Sequence, residues 1–290
     1  MRRTATAACG AAMALTLAAC SSEVPSTAQP AVTTPSSTAV AKRPPSVTSA
    51  PPATSSAPAV TWQVGAHPLP LGPGGFGEIE PTPPELVNRA LPTKDLFPPP
   101  VDGRYHATAT AVPADVLARS TWQPACPVAA GDLRYLTMSF WGFDGRAHTG
   151  EMLVNAKGAA GITKVFGQLF AAHFPLEEMR VTSPAELTAP PTGDGNSTSA
   201  FVCRPARGQT SWSAHAYGLA VDVNPFCNPY TQGALVLPEL ASAYLDRANR
   251  RPGMVLAGDA TVRAFAAIGW SWGGAWTSPT DRMHFTATGH

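Results

Sequence analysis

Two short stretches of this 290-residue chain carry residue types whose spacing could do chemistry. The first is Ser211-Trp212-Ser213-Ala214-His215-Ala216-Tyr217-Gly218-Leu219-Ala220-Val221-Asp222-Val223, with a histidine seven residues ahead of an aspartate set in an apolar run. A carboxylate in such a run is costly to bury unless a cation or hydrogen-bond donors meet it. The second is Asp281-Arg282-Met283-His284-Phe285. Together His215, Asp222 and His284 make a His, Asp, His set with a fourth position left for water. That is the open coordination of a catalytic zinc, not the closed sulfur-rich set of a structural one. Asp281, three residues before His284, is then placed to move a proton without being a ligand. Taken singly, each residue has a plainer reading. His215 and His284 could be core histidines, Asp281 a surface partner of Arg282, and Arg204 a solvated charge. The spacing of the whole set favours the metal.

The elements that must position these side chains follow from the same stretches. Leu219 to Val223 is short, β-branched and bounded by Gly218 and Pro225, so it reads as a strand. Alternation puts Leu219, Val221 and Val223 on one face and Ala220 and Asp222 on the other. The odd spacing of His215 and Asp222 would send them to opposite faces of one strand. A turn at Gly218 must therefore re-aim the chain if the two are to meet.

The pattern Ser-x-His-x-x-Gly-x-Ala-x-Asp followed by Asp-x-x-His resembles the zinc D-alanyl-D-alanine carboxypeptidase and L-alanyl-D-glutamate endopeptidase family (VanY-like), which cuts peptidoglycan stem peptides. Asp132 to Leu136, Phe143-Asp144-Gly145, Gly150-Glu151, Phe174-Pro175-Leu176, Ser197 to Phe201 and Trp272-Gly273-Gly274-x-Trp276 extend the likeness over roughly residues 120 to 288. The resemblance implies an α+β fold, a small mostly antiparallel sheet with helices on one face, of the zinc D,D-peptidase (Hedgehog-like) type. It implies one Zn2+ per domain held by His215, Asp222 and His284. Asp281 is then the general base acting on zinc-bound water, and Arg204 holds a substrate carboxylate or carbonyl oxygen. Ser213, within the motif, and Tyr230, after the rigid turn that begins at Asn224, are read as lining the substrate cleft. One departure is Thr286, where many relatives have a glutamate. The implied activity is hydrolysis of a peptidoglycan stem peptide, as a D-Ala-D-Ala carboxypeptidase or an L-Ala-D-Glu type endopeptidase. The alternative is a zinc-containing, catalytically inactive cell-wall binding module, against which the presence of Asp281 argues.

The rest of the chain fits an exported protein. Residues 1–19 carry two arginines and a short apolar run, a secretory signal too short to span a membrane. Leu17-Ala18-Ala19-Cys20 resembles a bacterial lipobox, with Cys20 as the lipidated first mature residue. Loss of Arg2 and Arg3 takes the 20 basic side chains to 18 against 19 acidic, a balance that excludes nucleic acid and leaves the lipid as the route to the membrane. Pro, Ser, Thr and Ala fill 31 of the 40 positions from 21 to 60, so this segment cannot bury enough apolar area to fold and reads as a tether reaching into the wall. Residues 61–119, punctuated by prolines, read as an extended arm leading to a domain over 120–290, expected to be monomeric. Within that domain a hairpin is expected near 133–154, a helix over 159–170 and a helix over 259–268. Short strands are expected at 180–181 and 201–203, flanking a loop from Ser183 to Ser199 that would shape access to the site. Three mature cysteines besides Cys20, Cys126, Cys203 and Cys227, allow one disulfide and one free thiol, with the pairing open.

Overall fold

The computed structural model describes residues 62–289; the expected signal, Cys20 and tether lie outside them. The Pro-rich stretch is the first surprise. Pro84–Val87 forms a short helix, α1, with proline at its first turn, where a missing N–H costs nothing. Leu86 and Leu91 are buried against Phe226 and Tyr244. Between them Arg89 is fully buried, its Nε and Nη2 donating to Glu177 at 2.5 and 2.7 Å. Strand β1, Ala107–Ala111, pairs antiparallel with the domain's first long strand, and helix α2, Ala114–Arg119, follows it. The expected boundary at residue 120 is therefore not a break: the arm supplies a strand, two helices and core side chains.

Strands β2, Leu133–Trp141, and β3, Ala147–Asn155, form the expected hairpin around Gly145. Their alternation sorts two cores. Leu136, Met138, Phe140, Met152 and Val154 face helix α3, Ala159–Ala171, through Ile162, Val165, Phe166 and Leu169. Leu133 and Leu153 face the other way, toward Val116 of α2, Val181 and Phe201. Helices thus cover both faces of this sheet rather than one. On the α2 face Arg119 pairs with Glu151, which Tyr135 also reaches at 2.7 Å.

Strands β4, Glu178–Met179, and β5, Ser197–Thr198, pair in parallel. The strands expected at 180–181 and 201–203 are displaced to these positions. Strand β6, Ala220–Asp222, precedes a second hairpin of β7, Tyr230–Gln232, and β8, Leu235–Leu237. Helix α4, Ala260–Ala266, is capped by Asp259, whose Oδ1 accepts from Val262 N at 2.8 Å. The chain closes with β9, Ser271–Trp272, β10, Thr280–Asp281, and β11, His284–Thr286. Where the sequence predicts one sheet, the described residues form three antiparallel sheets of three strands, β1-β2-β3, β10-β7-β8 and β6-β11-β9, and the short parallel pair. The class is α+β, built from small antiparallel sheets and few helices. No helix among the described residues is long and apolar enough to cross a membrane.

Candidate metal centre and active site

The site is built on strands β6 and β11, which pair antiparallel with Asp222 opposite His284 and Val221 opposite Phe285. Directly opposed residues share a face. One parity therefore sends Val221, Val223 and Phe285 into the core, where Phe285 stacks on Phe265 of α4 with ring centroids 3.9 Å apart. Burial of each such side chain is worth roughly 1.5–3 kcal/mol. The other parity presents Asp222 and His284 together.

His215 arrives from a different direction. Ala214–Tyr217 is a single 3-10 turn whose cap, Ser213 Oγ, accepts from His215 N at 3.3 Å. Gly218 ends it at φ +66°, and a Cβ there would lie 2.6 Å from Asn155 N on β3, so the position excludes any side chain. This is the turn that the odd spacing requires. The His215 Nδ1–H donates to Ala200 O at 2.6 Å. A carbonyl can only accept, so the proton is fixed on Nδ1 and the Nε2 lone pair is left free.

That lone pair points at the other two groups. His215 Nε2 lies 3.1 Å from His284 Nδ1 and 3.3 Å from Asp222 Oδ2, and His284 Nδ1 lies 3.1 Å from Asp222 Oδ1. A tetrahedral zinc with N and O bonds of about 2.0–2.1 Å has ligand-to-ligand edges of roughly 3.3–3.4 Å. The donor set fits a zinc ion by type, by spacing and by its second-layer hydrogen bond. Burial works against the Asp222 charge, but the two imidazoles outweigh it and hold its carboxyl far below the usual range.

Asp281 lies on β10 opposite Tyr230 of β7. Its Oδ1 is buried without a hydrogen-bond partner. Burial, followed by the nearby Asp222 carboxylate, pushes Asp281 up to about 7. Gly273 makes room for it, because a Cβ there would lie 2.7 Å from Asp281 O. Trp272 Nε1 donates to Arg282 O at 2.8 Å and ties this turn to the strand that carries His284. Asp281 makes no pair with Arg282, whose guanidinium donates to Pro229 O and Thr231 Oγ1.

A cleft of about 730 Å³ collects these groups, with Arg204, Arg207, Trp212, Ser213, Tyr230 and Trp276 along its walls. Ser213 is occupied as the turn's cap, and the Tyr230 hydroxyl donates to Gln232 Oε1 at 2.8 Å. The Trp276 ring lies 5.6 Å from His284, so it is a wall of the cleft as well as loop packing. Thr286 Oγ1 donates to Leu219 O rather than to His284. The Ser183 to Ser199 loop lines a neighbouring cavity with Trp62, Glu177 and Pro238 instead of this cleft. The disulfide joins Cys126 to Cys203, next to Arg204, and Cys227 is the buried free thiol. Arg207 escaped the sequence reading; its only signal was a second arginine three residues from Arg204.

Residues 207–287 match the family described as D-alanyl-D-alanine carboxypeptidase. The match spans His215, Asp222, Asp281 and His284 and supports the VanY-like resemblance carried by the motifs. Such a family suggests a peptidase acting on peptidoglycan. No curated protein and no solved structure matches the chain.

Proposed function

We propose that this chain is an exported zinc metallopeptidase of the D,D-peptidase (Hedgehog-like) fold that hydrolyses peptidoglycan stem peptides, at a D-Ala-D-Ala or an L-Ala-D-Glu bond. The observation that carries this reading is the convergence of His215 Nε2, Asp222 and His284 Nδ1 in a cleft that also holds the unpartnered Asp281 carboxylate. His215, Asp222 and His284 would hold a zinc ion, which would supply a Lewis acid to polarise the scissile carbonyl and acidify water.

The protein groups do the rest. Asp281 Oδ1 has no competing donor, so it is free to accept a proton from the attacking water. As the C–N bond breaks, the same carboxyl returns that proton to the departing amine. A base held near neutrality suits both steps better than an ordinary carboxylate. The Arg204 guanidinium, half-buried in the cleft wall and spending one N–H on Pro205 O at 3.1 Å, retains donors for a substrate oxygen. His215 is kept in one tautomer by Ala200 and needs no rearrangement to serve as a ligand. Lipidation at Cys20 and a tether over 21–60 belong to the same proposal, since they would carry the cleft to the wall. Metabolic labelling with a fatty acid, lost in Cys20→Ala, tests that part.

Digestion of defined stem peptides by the zinc-loaded chain, read by mass spectrometry, tests the activity. Loss of one D-alanine marks a carboxypeptidase, and new D-Glu amino ends mark an endopeptidase. Stoichiometric zinc with no stem peptide cut would sink the peptidase reading.

A further inference from the structure

The cleft contains two guanidinium groups and no carboxylate paired with either. Among the described residues, Arg204 and Arg207 have no acidic group within ion-pair distance, although both line the same cavity. Burial, and next the Arg207 charge, lowers the Arg204 pKa, so each cation lies within the other's field. The acidic groups that face them are Asp222, committed to the two histidines, and Asp281. Two like charges on one cavity wall are unfavourable until an anion lies between them.

Arg207 is not left to wander. A tight hairpin, closed by the Leu71 and Gly77 bridge and by Gly72 N donating to Phe76 O at 2.8 Å, brings Phe76 beneath it. The guanidinium carbon sits 5.4 Å from the centre of the Phe76 ring, within cation–π range. The hairpin is itself anchored. Gly77 N donates to the buried Glu239 Oε1 at 2.8 Å, and Leu69 N to Pro191 O at 2.8 Å. Leu69 also packs against the cluster of Leu86, Phe226 and Tyr244. This segment precedes the family-matched residues by more than a hundred positions and is a feature of this chain's own N-terminal part.

We propose that the Leu71–Gly77 hairpin is part of the substrate-binding apparatus, with Phe76 holding Arg207 beside Arg204 so that the pair clamps a free peptide carboxylate. Guanidinium forks bind carboxylates with matched, bidentate geometry. The clamp rests on the peptidase reading and sharpens it, since it favours a substrate's free carboxy terminus over an internal bond. Arg207 is a binding residue, and Phe76 acts through it as a positioning residue.

The test uses the zinc-loaded full-length chain carrying Asp281→Asn to stop turnover. It is titrated with a short stem peptide ending in D-Ala-D-Ala and with the same peptide as its C-terminal amide, read by fluorescence of Trp212 and Trp276 in the cleft. The carboxylate form is expected to bind about tenfold tighter or more. Adding Arg207→Ala is expected to weaken the carboxylate form about tenfold and to leave the amide within about twofold. Phe76→Leu keeps apolar volume but loses the ring face, and is expected to cost about two- to fivefold on the carboxylate form alone, with Phe76→Tyr restoring it. In the active chain Arg207→Ala is expected to raise KM for the carboxylate peptide while kcat holds within about twofold. Equal affinity for the two peptides, or losses shared equally by both, overturns the proposal. Carboxylate-selective binding with no cleavage of any peptide overturns the peptidase reading and leaves the clamp standing.

Discussion

Among the described residues, buried histidines meet aspartates in two places, and the two clusters behave in opposite ways. At the far end of the hairpin from Asn155, His148 is 1 % exposed, with Nδ1 2.7 Å from Asp95 and Nε2 3.0 Å from Asp144. In the cleft, His215 and His284 share Asp222. The residue types are nearly the same, one histidine with two aspartates against two histidines with one. What separates them is direction. Each nitrogen of His148 faces its own carboxylate, so the lone-pair directions of that ring diverge and nothing can sit between them. In the cleft one nitrogen of His215 is consumed by Ala200, and the remaining donors of all three residues converge. The first cluster is closed, fastening the segment around Asp95 to the β2–β3 hairpin, while the second is open toward the cleft.

The contrast can be broken from its strongest side first. His284→Ala leaves two donors, and zinc measured by elemental analysis is expected to fall from one per chain toward none. Cleavage of stem peptides should fall with it by at least about 10³-fold, because the Lewis acid is worth several kcal/mol. Asp281→Asn, which removes a base but no ligand, is expected to lower kcat by about 10²–10⁴-fold with zinc content unchanged. A variant that loses both together would show that Asp281 is a ligand. His148→Ala should do the reverse of His284→Ala, keeping zinc while lowering unfolding free energy in urea by about 2–3 kcal/mol, since two carboxylates and a cavity are left behind.

The smallest effect is in acid. Burial alone would raise the Asp144 pKa, yet hydrogen bonds from the His148 ring and from Arg146 hold it down at about 2. A carboxylate depressed on folding adds stability that is present above its unfolded pKa near 3.8 and lost as pH falls toward about 2. The contribution is on the order of 1 kcal/mol, given the solvent around Asp144. Urea titrations between pH 5 and 2 should show that loss in the parent chain and a flatter dependence in His148→Ala.

Local chemistry was legible in the sequence, and pairing at a distance was not. Gly218 announced the turn because the odd spacing of His215 and Asp222 admits no simpler solution, and Val221 and Val223 announced the buried face of β6. Helices α3 and α4 were visible in their apolar periodicity. By contrast, nothing local in Ala107–Ala111 says that this alanine and threonine run is a sheet edge, because its partner is twenty or more residues away. The same holds for the parallel pair β4 and β5, held by a contact between segments too short to show a period. Cys203 carried no mark of its partner, and Arg207 gained its place only through Phe76, about 130 positions upstream. Arg89 and Glu177 were invisible for the same reason: each reads as a surface charge until the other is placed beside it.

The opposed parities of β6 and β11 carry one more consequence. Asp222 and His284 alternate with Val221 and Phe285 on the same paired strands, so a slip of one residue would exchange ligands and core in a single step. No partially correct arrangement keeps both donors facing the cleft while the apolar residues stay buried. If the proposed zinc binds here, its capture reads out register: only a chain that has paired these strands correctly would offer both donors to the ion.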